Sequence, residues 1–391
     1  MSKIKDIEVF FLEYPFPKKL GYKYSGGLVE NMIVAIIKVT DSNDNYGIGE
    51  ITHGQFTHEP IIGLTKHFRD MLVGSDSHNI NQTWEKMYGS SVFWNREGIG
   101  IGVMGGINIA LYDLLGKNLK VPVYQLIGGL NKTKIRIYAS NGLFDNKDQL
   151  IEDARKAYNL GFRIYKMRVV EPSSIIELVH EFKKEFKDKM DLIVDAVQGS
   201  TSNPWATKVS INIAKKLEKY EVLFFEEPCR VENLDGYKEI KSNTNLNIAG
   251  AESIPTARAF KPYFENNVFD VVQFDIATSG FTEGRRIADM AYVYNKTLAI
   301  HSWGSAISIM AGIHFSLSIP NAAFTEYCFM DHPINRSLFE NETINISDGY
   351  VEPPKTYGLG IKFDENLTKE FPYKEKINTM ILTDKEDIGL K

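Results

Sequence analysis

From residue 134 onward the sequence repeats one pattern eight times, and that rhythm leaves few folds open. Short apolar, β-branched or aromatic runs recur at KIRIYAS (134–140), FRIYKMRV (162–169), DLIVDAV (191–197), LFFEEP (223–228), NIAGAES (247–253), FDVVQFDI (269–276), TLAIHSW (297–303) and FTEYC (324–328). Segments with helical periodicity separate them, among them DQLIEDARKAYNLG, SSIIELVHEFKKEF, VSINIAKKLEKY and TEGRRIADMAYVYN. In the last, Ile287, Met290, Ala291 and Tyr294 share one helical face, with Thr282 as a start signal. Strands alternating with helices every 22 to 32 residues or so require parallel crossovers. Eight such units close into a (β/α)₈ TIM barrel. An open doubly wound sheet is the competing architecture, but it wants a glycine-rich phosphate turn after an early strand, and the sequence has none.

Residues 1–130 follow a different pattern. IEVFFLEYPF, VENMIVAIIKVTD and NYGIGEIT read as strands, with SNDN before Tyr46 as a hairpin signal, and helical stretches follow. The expected fold class is therefore α/β, with an N-terminal α+β capping domain over 1–130, a catalytic barrel over 131–345, and a segment over 346–391 that packs back on the cap. The full 391 residues suit a barrel with a smaller companion domain.

A formal net charge of −5 and a pI near 6.0 argue against nucleic acid as a partner. The stretch KKEFKDK (183–189) mixes signs as a solvated helix face does. MSKIKDIEVFFLEYPFP lacks the apolar core and cleavage site of a signal peptide, and no apolar run approaches the roughly 18 residues of a membrane span. With Cys229 and Cys328 as the only cysteines, no disulfide framework is expected, and the location expected is cytoplasmic.

Chemistry in a TIM barrel sits at the C-terminal ends of its strands. Those ends carry, in order, Lys166 with Arg168, Asp195, Glu226, Glu252, Asp275, His301 and Glu326. Asp195, Glu226 and Glu252 come from three neighbouring strands and would repel one another unless a cation sat among them. Such all-oxygen donors suit a hard divalent ion, Mg²⁺ before Mn²⁺ or Ca²⁺. Glu227 should face away from Glu226, because side chains alternate along a strand. Lys166 and Arg168 point to the same side. A lysine beside a second cation and a metal can have its pKa lowered towards a useful base, whereas Arg168 is better suited to clamp a carboxylate or oxyanion. Asp275 and His301 close adjacent strands, so the carboxylate can hold the imidazole in one tautomer and raise its basicity. Glu326, if protonated, could donate a hydrogen bond to a substrate carboxylate.

The motifs YKMR (165–168), IVDAVQ (193–198), FFEEP (224–228), AGAES (249–253), VVQFD (271–275), AIHSWGS (299–305) and FTEYC (324–328), in this order and spacing, resemble the enolase superfamily in its mandelate racemase subgroup over nearly the whole length. The resemblance implies an enolase-like modified barrel and one Mg²⁺ per subunit, with Mn²⁺ able to substitute, on Asp195, Glu226 and Glu252. It also implies a His301–Asp275 dyad, Glu326 as electrophilic partner, a small-molecule carboxylate substrate and a homo-oligomer. Two departures stand out. The subgroup usually has a second lysine where this chain has Arg168, and an asparagine where it has Val197. One residue fewer than usual also separates Asp275 from Gly280.

Racemisation needs a base on each face of the α-carbon, and Arg168 is a poor one. Elimination of water needs one good residue, so the chain reads as a sugar-acid dehydratase forming a 2-keto-3-deoxy acid. The alternative is a racemase or epimerase of a 2-hydroxy acid or amino acid derivative. Specificity is expected from the cap: Tyr22, Lys23 and Tyr24 in GYKYSGG, His53 in ITHGQF, and Arg96 in VFWNREG, with Trp303 beside His301.

Overall fold

The computed structural model describes residues 2–16, 22–24, 27–141, 144, 146–201, 203–330, 332–339 and 344–374, with the backbone alone for 22–24 and 27–29. The cap is built on a three-stranded antiparallel sheet of β1 (Ile4–Pro15), β4 (Asn31–Asp41) and β5 (Tyr46–Ile51), in the order β1-β4-β5. A separate hairpin pairs β2 (Tyr22–Tyr24) with β3 (Gly27–Val29). Helices α1 (Glu59–Leu72), α2 (Ile80–Ser91), α3 (Ile99–Leu119) and α4 (Val123–Leu126) follow. The expected turn joins β4 to β5, with Asp44 in the left-handed region at φ 63°.

Eight parallel strands then alternate with seven helices. The strands are β6 (Ile135–Ser140), β7 (Ile164–Arg168), β8 (Asp191–Asp195), β9 (Phe225–Glu226), β10 (Ile248–Gly250), β11 (Val271–Val272), β12 (Thr297–Ile300) and β13 (Ala322–Cys328). The helices are α5 (Lys147–Asn159), α6 (Ile175–Phe186), α7 (Thr207–Leu217), α8 (Leu234–Ser242), α9 (Ala257–Glu265), α10 (Ile276–Val293) and α11 (Ala306–Ser318). Pairing of β13 with β6 closes the sheet into the barrel. After α12 (Pro333–Leu338), the two-residue strands β14 (Ile346–Ser347) and β15 (Tyr350–Val351) form a hairpin, and β15 runs antiparallel to β6. The chain then returns to the cap through α13 (Leu367–Glu370). There Phe363 packs on Phe10 with ring centroids 5.1 Å apart, and Lys374 N donates to Glu13 at 2.8 Å.

Helix α10 begins at Ile276, earlier than its apolar periodicity indicated, because Asp275 caps it by accepting from Thr278 N. The backbone breaks at Gly280 (φ 63°, ψ −177°) and resumes as helix. The side chain of Asn108 fills the break: its Oδ1 accepts from Thr282 N at 3.1 Å and its Nδ2 donates to Thr282 Oγ1 at 2.8 Å.

Helix α3 corrects one expectation. It has 21 residues and is long and apolar enough to cross a bilayer, yet 83% of its most apolar window is buried inside the protein. Its apolarity serves two seams. A side chain at Gly49 of β5 would collide with the Gly106 carbonyl of α3, and one at Gly105 of α3 would collide with the Thr278 carbonyl of α10. The helix is therefore wedged, backbone against backbone, between the cap sheet and the barrel. Cys229 and Cys328 are both buried free thiols.

On the far side of α11, His314 is fully buried and stacks on Tyr124. Its Nδ1 accepts from Tyr124 N at 3.2 Å, and Nε2 faces the Leu359 carbonyl at 3.4 Å. Burial drives its pKa down to about 4, against an ordinary 6.5. The folded value lies below the unfolded one, so its contribution to stability is present above pH 6.5 and lost as the pH falls towards 4. We expect the stability lost by this route between pH 7 and pH 4.5 to be on the order of 2 kcal/mol. His314→Asn, whose amide oxygen can accept from Tyr124 without titrating, should flatten the fall. Urea denaturation at the two pH values checks this; an unchanged slope in the variant would assign the acid sensitivity elsewhere.

Candidate active site

The site follows from period-two alternation. Tyr138, Ile164, Ile193, Phe224, Ala249, Val271 and Ala299, with Phe324 against them, form the apolar plug of the barrel. Two residues further along most of these strands the side chain again points inward, now above the plug. Those positions are Ser140, Lys166, Asp195, Glu226, Gln273, His301 and Glu326. On β10 the same step lands on Ala251, whose φ of 88° turns the chain and passes the inward place to Glu252. On β11 the step gives Gln273, buried with neither amide atom bonded, and a further two residues give Asp275.

Lys166 is fully buried at the centre. Its Nζ lies 2.6 Å from Glu226 Oε1, 3.0 Å from Glu326 Oε1 and 3.6 Å from Asp195 Oδ2. Burial would lower its pKa, but Glu226 and then Glu326 hold it well above the ordinary lysine value. The lowered lysine expected from sequence is reversed here, because anions and not cations surround the ammonium. Arg168 lies alongside, donating to Ser140 Oγ at 2.9 Å, with Nε 3.4 Å from Asp195 and a terminal nitrogen 3.6 Å from Glu326. Trp303 faces it, with the guanidinium 6.0 Å from the indole centroid.

His301 and Asp275 meet as a dyad: His301 Nδ1 is 2.7 Å from Asp275 Oδ2, and a backbone bridge joins the two residues. The other ring nitrogen, Nε2, lies 3.2 Å from Glu252 and 3.5 Å from Glu326. Burial opposes the charge on the imidazole, but Glu252, then Glu326 and Asp275, raise it to about 10. Glu326 also departs from expectation. Burial would raise its pKa, but Lys166, His301 and Arg168 hold it well below the usual carboxylate range, and its Oε2 accepts from Ser302 N at 3.0 Å. It is thus an ionised acceptor and not a protonated donor.

Glu227 does not face solvent. It is buried at φ 43°, its carboxylate fills the space that a side chain at Gly199 would need, and burial followed by Glu252 raises it well above the ordinary value.

Among the described residues, no three acid, cysteine or histidine side chains stand close enough together to hold a metal ion as they are oriented here. Lys166 stands against both Asp195 and Glu226 and offsets part of their charge. The donors nonetheless fit a hard cation. Glu226 Oε2 is buried with no hydrogen-bond partner, and burial, then Asp195, pushes Glu226 up to about 8. A carboxylate with an orphaned oxygen beside a second acid is short of positive charge.

The cap residues divide. Of Tyr22, Lys23 and Tyr24 only the backbone is described, so their side chains lie outside the described residues. His53 sits in the short 3₁₀ helix Thr52–Gln55, with Nδ1 buried and unbonded; burial lowers its pKa, against the pull of Asp275. Arg96 is exposed and donates to the Val92 carbonyl of its own loop at 3.3 Å. Two cap residues that sequence reasoning missed reach the barrel: Thr52 Oγ1 donates to Asp275 Oδ1 at 2.8 Å, and Glu50 accepts from Ser305 and Ser308. Nothing in GEIT marks them, since their partners lie more than 200 positions away.

Residues 6–128 match the N-terminal domain family of mandelate racemase and muconate lactonizing enzyme, and residues 149–367 match the enolase C-terminal domain-like family. With this barrel and this polar crown, the chain belongs to the enolase superfamily, in its mandelate racemase and muconate lactonizing enzyme branch. It is 27% identical to an arabinonate dehydratase of Saccharolobus solfataricus over 355 residues, covering 89% of this chain and 93% of that one. It is 32% identical to a D-galactonate dehydratase of Ralstonia pickettii over 317 residues, covering 77% and 81% respectively. The crystal structure of a 3,6-anhydro-D-galactonate cycloisomerase from Zobellia galactanivorans superposes with a TM-score of 0.84 at 27% identity, covering 95% of this chain and all of that one. Membership of this family implies a divalent-metal-dependent active site.

Proposed function

We propose that this protein is a hydro-lyase that removes the proton α to the carboxylate of a sugar acid and eliminates water from the neighbouring carbon, leaving a 2-keto-3-deoxy acid. The observation that carries the reading is the asymmetry of the crown. One side offers an imidazole backed by a carboxylate, with His301 Nδ1 2.7 Å from Asp275. The other offers Lys166 locked among anions and Arg168, which keeps its proton. A single competent base suits elimination and not the two-base exchange of a racemase. The similarity to arabinonate and galactonate dehydratases supports the same class of substrate.

Asp195, Glu226 and Glu252 would hold the metal, Mg²⁺ or Mn²⁺, which when bound would supply Lewis-acid stabilisation to the substrate carboxylate as its α-proton leaves. Arg168 and Lys166 would add fixed positive charge on the side of that carboxylate. With Glu252 engaged as a ligand, its charge would no longer fall on His301, and Nε2 would be free to serve as the base while Asp275 holds the proton on Nδ1. The C–H electron pair becomes the new C–C π bond as the β-carbon's C–O bond breaks. The imidazolium then returns its proton to the departing hydroxyl as water, and the enol product ketonises.

A screen of purified protein with Mg²⁺ against a library of acid sugars, read as keto-acid formation, tests the reading. Solvent deuterium uptake with loss of optical rotation and no keto acid would transfer the protein to the racemases.

A further inference from the structure

Among the described residues, the end of β5 brings cap side chains to the His301–Asp275 end of the barrel. Along Gly49-Glu50-Ile51-Thr52, alternate residues face opposite ways. Gly49 and Ile51 pack towards α3, while Glu50 and Thr52 face the barrel. Glu50 is buried and caps the start of α11, accepting from Ser305 N at 2.9 Å, Ser305 Oγ at 2.7 Å and Ser308 N at 3.0 Å. Gly304 leaves room for its carboxylate. The loop between His301 and α11, which carries Trp303, is thereby pinned to the cap sheet. Thr52 works on the other half of the dyad. Asp275 has two oxygens: Oδ2 meets His301, while Oδ1 takes Thr278 N at 2.6 Å from its own helix and Thr52 Oγ1 at 2.8 Å from the cap.

We propose that Thr52 is a positioning residue for the His301–Asp275 dyad, and that Glu50 and Thr52 together make correct placement of the imidazole depend on the docked cap. A carboxylate bonded on one oxygen by its own helix alone can still rotate about its Cβ–Cγ bond. A second donor from a different body fixes the plane of the carboxylate and hence the direction in which it holds the ring. The proposal rests on the reading of His301 as the base, and its test has one arm that does not need the substrate.

Thr52→Val keeps shape and removes the donor; Thr52→Ser keeps the donor and removes the methyl. On the sugar acid identified by the screen, Thr52→Val should lower kcat about tenfold with KM within about twofold, while Thr52→Ser returns kcat to within about threefold of wild type. In the free protein, the low-field proton on His301 Nδ1, assigned by its loss in His301→Asn, should shift in Thr52→Val and keep its position in Thr52→Ser. If no acid sugar turns over, the dehydratase reading fails while the resonance still decides the role of Thr52. Wild-type kcat in Thr52→Val, an unmoved resonance, or a loss shared by kcat, KM and Tm that Ser does not restore would each overturn the proposal.

Discussion

Replacing His301 by Asn is expected to lower turnover by roughly 10³-fold while leaving the protein folded. An asparagine amide can still reach Asp275 from the position of Nδ1, so the 2.7 Å contact that orders this corner of the barrel has a substitute. At the position of Nε2, beside Glu252 and Glu326, nothing remains that can take up a proton. Loss of activity should therefore come with an unchanged Tm and an unchanged response of Tm to Mg²⁺. Solvent deuterium entering the α-carbon reports on the same step without waiting for elimination, and it should stop too. Should exchange persist in the variant while elimination is lost, Lys166 is the base and His301 only the acid. Full turnover in His301→Asn would remove the foundation of the mechanism.

The second large effect concerns Lys166, and stability is its first readout. Among the described residues, its ammonium is the only side-chain cation within 3.0 Å of both Glu226 and Glu326, in a fully buried setting. Lys166→Met fills the volume and removes the charge, so Asp195, Glu226 and Glu326 face one another with Arg168 and His301 as cations at longer range. In the presence of chelator we expect a loss of about 3 kcal/mol at pH 8. The loss should shrink at pH 6, because the abandoned carboxylates take up protons as the pH falls and their repulsion fades. Added Mg²⁺ should recover part of the difference at pH 8, a response that needs no substrate. Denaturant titrations with and without the ion check both statements. A variant as stable as wild type at pH 8 in chelator would mean that the acids do not depend on this cation. Turnover should fall as well, by about a hundredfold, through loss of fixed charge near the substrate carboxylate.

The barrel was legible because its units are local. Each strand is a short apolar run and each helix carries its own periodicity, so the order of elements needs no knowledge of long-range contacts. The site was legible for a related reason. The residue two steps beyond the plug on β7, β8, β9, β12 and β13 is the polar one, and alternation alone carries Lys166, Asp195, Glu226, His301 and Glu326 to the same face. Where the backbone leaves that rhythm, the sequence is a poorer guide. Glu227 is buried beside Gly199 through a positive φ that no alternation rule foresees, and α10 starts at Ile276, six residues before the start signal at Thr282. Charge states were less legible still. The ammonium of Lys166 and the carboxylate of Glu326 hold each other ionised at 3.0 Å, which depends on packing from opposite sides of a closed barrel. Glu50 and Thr52 lay beyond reach because their partners come from another domain. The burial of helix α3 was not legible because its close seams rest on glycines in two separate elements, β5 and α3.

That wedged helix bears on how the scaffold could be re-engineered. Since α3 meets both β5 and α10 where only hydrogen fits, a transplanted cap would arrive with the wrong bumps unless α10 travelled with it. Among the described residues the hairpin β2–β3 pairs only within itself and belongs to neither seam, so a donor's hairpin is the simpler exchange. Chimeras seeking new substrates should splice there.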